Sequence, residues 1–539
     1  MPDTEEQKAF KFHILSYTDT HGRYLSKMDE KKDEHSHGLD RLSSYLKELR
    51  KKDEPVLLIE NGDSIQGYPL VDLHDFNSPM CENLPHPLAI VHRELRVDCF
   101  VVGNHEFNFG IKHLKKIEKE SNIPWLAANI YDSKTGEHFF SSSHFVEKFG
   151  FKIGVLGLIT EFVPKLESSS FVSSLVFKNV IDVAGELIPK LKSQCDYLVV
   201  VYHGGLEKNP ITDEHWSIAP DMENRGLALW ETYPEIDLLL TGHQHRELLY
   251  RPDDPKRAEI IQPSCFGKLW SHTVLEVQPR LGEMQEHRFA IKQKSSLIQA
   301  SKYSPDPEFV KKFEGNLRCI QGVLETPAGK VGAEFAINDP MKEVWLKKHP
   351  LIQWINNLLR QATGARIAAC SLLDAKVRGL PENVTMGDIF KTYFFQDTFC
   401  LMRVDGKTLK EALEQVASFF TLDEEDGQKR IDVHPEWRMF KIKSYNYDIY
   451  DGIEYGFDIG KPVGKRLAWL RFNQKDVGDL EELVIATTSF RAGGAFYKMF
   501  STDKIIQEFT AKITDLMTND LMTKKLVDVV PIQNFKVFY

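Results

Sequence analysis

The chain has 539 residues, 42% hydrophobic and 27% charged: too long for a single hydrophobic core and too apolar for wholesale disorder. With 78 acidic against 68 basic side chains the net charge is −10, which argues against a general coat for nucleic-acid phosphates. It leaves room for a small anionic ligand, because a bound cation reverses the local field. The amino-terminal residues MPDTEEQKAF are acidic and polar, and no stretch approaches the ~18 apolar residues of a membrane span. The seven cysteines (81, 99, 195, 265, 319, 370, 400) are scattered, with no CxxC. These features predict a cytoplasmic protein with reduced thiols, although a processed secreted form would have the same appearance.

In chain order, short apolar runs alternate with helical patterns. Strands are expected at Phe12–Tyr17, Val56–Ile59, Cys99–Val102, Ile153–Leu158, Tyr197–Val201 and Ile236–Leu240. Most lack polar alternation, as strands buried on both faces do. Helical spacing occupies Leu39–Lys51 and Ile111–Glu120, and 263–298 reads as closing strands with a hairpin. The two prolines of SPDPEF interrupt the pattern until Pro307 can open a helix, expected from Glu308 to about Leu324. The expected organisation is a layered α/β domain over 1–300, a linker helix within 301–325 and a second α/β domain over 326–539. The last contains helices near Leu351–Thr363 and Thr408–Phe420 and a strand near Val484–Thr488.

The chemistry collects where the strands end. Asp19-Thr20-His21 follows the first strand, Asn61-Gly62-Asp63 the second and Gly103-Asn104-His105-Glu106 the third. His203-Gly204-Gly205 and Gly242-His243-Gln244-His245 close the fifth and sixth. Open α/β sheets bind ligands outside the carboxyl ends of their strands, so these five loops can converge. Asp19, His21, Asp63, Asn104, His203, His243 and His245 make seven oxygen and imidazole donors without a thiolate. Seven are too many for one ion and suit two divalent ions (Mn, Zn, Fe, Co or Ni) sharing a carboxylate. Such a pair stands about 3.5–4 Å apart and clamps the attacking and leaving oxygens of phosphoryl transfer.

These motifs resemble those of the calcineurin-like metallophosphoesterases, which implies a layered αββα catalytic domain. Val384–Thr398, Val404–Glu414, Tyr447–Val463 and Thr488–Phe496 resemble the 5′-nucleotidase group, in which a separate α/β C-terminal domain binds the nucleotide. By this resemblance Asp19, His21, Asp63 and His245 hold one ion and Asp63, Asn104, His203 and His243 the other, with Asp63 as the bridge. Water activated by the ions attacks phosphorus in line, and His105 binds the phosphoryl group or protonates the departing oxygen. Asn108 stands where 5′-nucleotidases usually carry Asp. It can orient the His105 ring but supplies no charge to stabilise an imidazolium, unless it only caps the turn before Gly110. GNHEFN, Gln66–Leu70 and YDIYDGIEY are similar to the 2′,3′-cyclic-nucleotide 2′-phosphodiesterase/3′-nucleotidase branch.

The same resemblance places the nucleobase against Phe490 and Phe395, with Asp397 and Arg491 as polar partners. Two departures bear on specificity. Cys370–Ala375 lacks the Gly-Gly-x-Arg segment of many 5′-nucleotide binders, with no arginine until Arg378, and the loop from Arg491 to Ala495 is short. The expected activity is therefore opening of 2′,3′-cyclic nucleotides and removal of the 3′-phosphate. A 5′-nucleotidase or nucleotide-sugar hydrolase is the alternative, and a nucleotide-binding sensor the non-enzymatic one. The expected partner is a small nucleotide, with no nucleic-acid polymer, membrane or obligate protein partner.

Overall fold

The computed structural model describes residues 9–26, 37–75, 83–167, 169–216, 223–280, 288–395, 397–425, 428–438, 444–494 and 496–539. Cys81 and Ala495 lie outside them. The chain divides into two units, 1–164 with 171–320 and 165–170 with 321–539.

The first unit contains two six-stranded sheets. One runs in the spatial order Phe289–Gln299, Leu269–Pro279, Phe10–Tyr17, Val56–Glu60, Cys99–Val101, Trp125–Leu126. The other runs Glu247–Tyr250, Glu259–Pro263, Leu238–Thr241, Tyr197–His203, Phe151–Ile159, Ser143–Lys148. Alternate residues of both face each other in one core: Phe12, Ile14, Leu57, Ile59 and Val101 from the first, Ile153, Val155, Val199, Val201, Leu238 and Leu240 from the second. The intervening residues of the second sheet, including Leu156, Leu198, Val200 and Leu239, pack on Val180, Val183, Ala184 and Ile188 of the helix Val180–Lys192. Being buried on both faces, these strands read as continuous apolar runs. The far face of the first sheet carries helices Leu39–Arg50, through Tyr45 on Trp270 and His272, and Pro87–Leu95, through His92 on Phe100 and Glu60. The result is the expected order of helices, two sheets and helices.

Register explains why the loops converge. Phe10–Tyr17, Val56–Glu60 and Cys99–Val101 are parallel neighbours, as are Phe151–Ile159, Tyr197–His203 and Leu238–Thr241. Their carboxyl ends therefore emerge together along each sheet. The closing hairpin pairs Leu269–Pro279 with Phe289–Gln299 in antiparallel register.

The expected single helix over Glu308–Leu324 is instead two, Pro307–Lys311 and Glu314–Leu324. Asp306 caps the first, accepting the Glu308 N–H at 3.1 Å, and also binds Ser43 and Lys47 of the first unit. Cys319 is disulfide-bonded, which corrects the expectation of reduced thiols throughout, whereas Cys99, Cys195, Cys265, Cys370 and Cys400 are free. Among the described residues no helix is long and apolar enough to cross a membrane.

The second unit is built on a five-stranded sheet ordered Asp448–Asp451, Ile367–Ser371, Glu482–Thr488, Thr398–Asp405, Ile505–Lys512. Its helix Pro350–Thr363 shows how local sequence sets the boundaries. The His349 side chain caps the start by accepting the Leu351 N–H at 3.2 Å, Pro350 takes the first helical position, and Gly364 ends the helix at φ 73°. Leu351, Ile352, Ile355 and Leu359 of that helix join the unit's core.

Candidate metal centre

All seven expected donors lie at strand ends of the first unit, and six of them fall into two groups. Asp19, His21 and His245 form one and Asp63, His203 and His243 the other, each with ligand atoms within 4.8 Å of one another. Asn104 joins the second group, its Oδ1 2.8 Å from His243 Nδ1. Five of the seven have left-handed backbones: Asp19 at φ 52°, His21 at 49°, Asp63 at 57°, His243 at 68° and His245 at 59°. Non-glycine residues adopt this region at a cost of order 1–3 kcal/mol each, and such strain persists where surrounding structure enforces it. Here the strand ends and the hydrogen bonds Asp19 N–H to Gly62 O and His21 N–H to Asp63 O, both 2.9 Å, hold the loops in place.

Three of the four imidazoles are turned by a bond to the outer nitrogen. His21 Nδ1 donates to the Gln66 carbonyl at 2.9 Å, and His203 Nδ1 to that of Asn61 at 2.6 Å, so each presents Nε2 to the site. His243 is reversed: Nε2 meets Glu223 Oε1 at 2.8 Å and Nδ1 faces Asn104. The loops bearing Asp63 and Asn104 are joined by Glu106, whose buried carboxylate accepts the N–H groups of Asp63, Ser64 and Gly103 at 2.7–2.8 Å. Burial and the nearby Asp63 charge push the Glu106 carboxyl up to about 7.

The donor set fits cations. His203 Nε2 is buried without a hydrogen bond and lies 3.2 Å from Asp63 Oδ2. His21 Nε2 and His245 Nε2 meet at 3.0 Å, and His245 Nε2 lies 3.4 Å from Asp19 Oδ1. Burial opposes charge on both carboxyls, yet the neighbouring histidines hold Asp19 below, and Asp63 well below, the usual carboxylate range. Burial likewise opposes protonation of His203, but the Asp63 carboxylate raises it to about 9. In the same way Asp19 outweighs burial and raises His245 to about 10. The cluster thus draws positive charge into a buried place, which divalent ions on Asp, Asn and neutral His donors satisfy directly.

His105 borders this cluster without joining either group. Its N–H donates to Asp63 Oδ1 at 2.8 Å and its Nδ1 to Asn108 Oδ1 at 2.7 Å, so Asn108 orients the ring. His105 also lies edge-on to His21, with centroids 5.2 Å apart.

In the second unit Phe395 and Phe490 are half-buried and flank Tyr445, whose ring lies 5.4 Å from the first and 6.2 Å from the second, edge-on to both. Asp397 receives the Tyr393 hydroxyl at 3.3 Å, and burial pushes its carboxyl up to about 6. Arg491 departs from the expectation of a substrate contact. It is 3% exposed, with Nε 2.8 Å from Asp448 Oδ2, Nη1 donating to Asn446 Oδ1 and Nη2 to the Tyr445 carbonyl, so its donors hold the protein together. Sequence reading missed Tyr445, Glu223 and Glu106. Glu106 alone had a local signal, an acid placed directly after an apolar strand.

Residues 12–247 match the family model of the calcineurin-like phosphoesterases, the class that the two sheets and their strand-end donors define. Residues 327–502 match that of the 5′-nucleotidase C-terminal domain. The chain thus joins a calcineurin-like phosphoesterase domain to a 5′-nucleotidase C-terminal domain. It is 23% identical over 546 aligned positions to the 2′,3′-cyclic-nucleotide 2′-phosphodiesterase/3′-nucleotidase of Haemophilus influenzae, covering 89% of this chain and 80% of that one. It is 22% identical to the trifunctional nucleotide phosphoesterase YfkN of Bacillus subtilis, covering 97% of this chain but spanning only 39% of that protein's length. A crystal structure of a putative 5′-nucleotidase from Staphylococcus aureus in complex with α-ketoglutarate superposes with a TM-score of 0.82 at 25% identity, covering 98% of this chain and all of that one.

Proposed function

We propose that this chain hydrolyses phosphate esters of nucleotides, opening 2′,3′-cyclic nucleotides and removing the 3′-phosphate. The observation that carries the reading is the pair of donor groups at the strand ends, with Asp63 beside His105 and His105 oriented by Asn108. The similarity to the Haemophilus influenzae enzyme across most of both chains supports the substrate class.

Asp19, His21, Asp63 and His245 would hold one ion and Asp63, Asn104, His203 and His243 the other, with Asp63 shared. Two such ions supply Lewis acidity toward a phosphoryl group and lower the pKa of water. The chain's own part is positional and protic. Glu106 holds the Asp63 and Gly103 loops at a fixed spacing. His105 keeps a proton on Nδ1 through Asn108 Oδ1, which leaves Nε2 to accept a proton and deliver it to a departing ester oxygen. The neutral Asn108 amide orients the imidazole without adding charge beside it. In the second unit, Phe395, Tyr445 and Phe490 offer faces for a nucleobase, since stacking tolerates any base.

Product analysis on 2′,3′-cyclic AMP, 3′-AMP and 5′-AMP with added Mn²⁺ tests the proposal. Turnover of the first two supports it, preference for 5′-AMP assigns the chain to 5′-nucleotide hydrolysis, and silence on all three refutes it. Compartment belongs to the proposal as well. The scattered cysteines favour the cytoplasm and the Cys319 disulfide favours an oxidising compartment, so cell fractionation with thiol labelling decides.

A further inference from the structure

Glu223 lies outside every motif, yet its carboxylate meets a side chain at the heart of the site. Oε1 is 2.8 Å from His243 Nε2, and a carboxylate can only accept, so His243 carries its proton on Nε2 and presents Nδ1 toward Asn104. The position is built rather than incidental. The Glu223 carbonyl accepts the Thr160 hydroxyl at 2.7 Å and the Tyr202 hydroxyl at 3.1 Å, both from fully buried side chains. The next residue, Asn224, accepts the Gly205 N–H through Oδ1 at 2.9 Å. Residues 223–224 are thereby fastened to the end of Tyr197–His203, the strand that supplies His203.

The other histidines of the cluster have different supports. His21 and His203 donate to main-chain carbonyls, and His245 Nε2 lies 3.4 Å from Asp19 Oδ1, with Cys265 also close by. The carboxylates beside His203 and His245 are the donors Asp63 and Asp19, so among these four only His243 rests on a carboxylate that is not itself an expected metal donor. A carboxylate behind a metal-binding imidazole fixes its tautomer and ring orientation and raises its basicity, and losing one typically weakens metal binding about 10–100-fold.

We propose that Glu223 is a positioning residue for one half of the metal centre, locking His243 in the Nε2–H tautomer so that its Nδ1 and Asn104 would together hold the ion on the His203 side. The inference rests on the two-ion reading of the site. It goes beyond that reading in assigning a supporting carboxylate, supplied from a different loop, to one ion and not to the other.

Equilibrium dialysis of the full chain against Mn²⁺, with metal counted by mass spectrometry, tests it without reference to turnover. The wild type should bind two ions per chain. Fewer than two overturns the two-ion reading, and is seen before any variant is made. In Glu223→Ala one ion should keep wild-type affinity while the other weakens about 10–100-fold. Glu223→Gln, which keeps an acceptor but not the charge, should fall between. The metal-free proteins should share one Tm, because the bonds from Thr160 and Tyr202 reach the Glu223 main chain and survive both substitutions. Wild-type affinity for both ions in Glu223→Ala overturns the inference. Equal loss of both ions, or a fallen Tm of the metal-free variant, also overturns it by showing a general structural role.

Discussion

Replacing Gly103 with alanine would measure how closely the site is built. A Cβ at this position would lie 2.4 Å from Asp63 Oδ1, 2.6 Å from the Asp63 main-chain nitrogen and 2.8 Å from Glu106 Oε2. Reaching an ordinary 3.4 Å contact requires a shift of about 1 Å between Asp63 Oδ1 and the new methyl group. The carboxylate cannot simply rotate away, since Oδ1 accepts the His105 N–H at 2.8 Å and the main-chain nitrogen is bonded to Glu106. A displacement near 1 Å at a reacting centre costs about 10²-fold in rate, or about 2.7 kcal/mol. Overpacking would add about 1–3 kcal/mol of lost stability. The assay is kcat/KM on a nitrophenyl phosphodiester with added Mn²⁺, together with metal content and Tm. Gly478→Ala is the control, because nothing lies within 4 Å of its added Cβ. A Gly103→Ala protein with kcat/KM within about threefold of wild type and two bound ions would refute the reasoning.

His105→Ala should lower kcat on the same phosphodiester by about 10²–10⁴-fold while leaving metal content intact, as expected of a proton donor outside both ligand groups; loss of both ions would assign it to the metals instead. Phe490→Ala and Phe395→Ala should each weaken nucleotide binding by about 1–3 kcal/mol, read as a raised KM, and leave nitrophenyl phosphodiester turnover unchanged. An equal effect on both substrates would show a packing role. Arg491→Ala should destabilise the protein by about 3–5 kcal/mol in denaturant unfolding, because it strands the buried Asp448 carboxylate; unchanged stability with a raised KM would restore Arg491 as a substrate contact. Burial pushes the Asp98 carboxyl up to about 6 from the usual 3.8, so the fold prefers its neutral form. Its contribution is present below about pH 4 and is lost as pH rises through 6. Asp98→Asn, which mimics the neutral acid and can still accept the Leu58 N–H, should therefore gain up to about 3 kcal/mol over wild type at pH 8 relative to pH 4. The same stability difference at both pH values would contradict this.

Much of the fold was legible because its central strands are buried on both faces. Val199, Val200 and Val201, for example, pack alternately toward the first sheet and toward the helix Val180–Lys192, so all three must be apolar and the run stands out. The helix break at residues 312–313 was not legible, since residues 307–324 have no internal proline to mark it. Arg491 was misread for a related reason. Its burial depends on Asn446 and Asp448, more than 40 residues away in the chain, which no local pattern connects to it.

The sequence by itself determined the donors. Asp, Asn and His placed directly after apolar strands have no use in a core, and parallel strands send their carboxyl ends the same way, so local order sufficed to place Asp19, His21, Asp63, Asn104, His203, His243 and His245 together. Only the tertiary structure decided which nitrogen each histidine presents. That choice depends on what faces the other nitrogen: the Gln66 carbonyl for His21, the Asn61 carbonyl for His203 and the Glu223 carboxylate for His243. An imidazole's tautomer follows from its hydrogen-bond partner, and these partners lie 20 to 142 positions away along the chain, so the folded molecule alone specifies it.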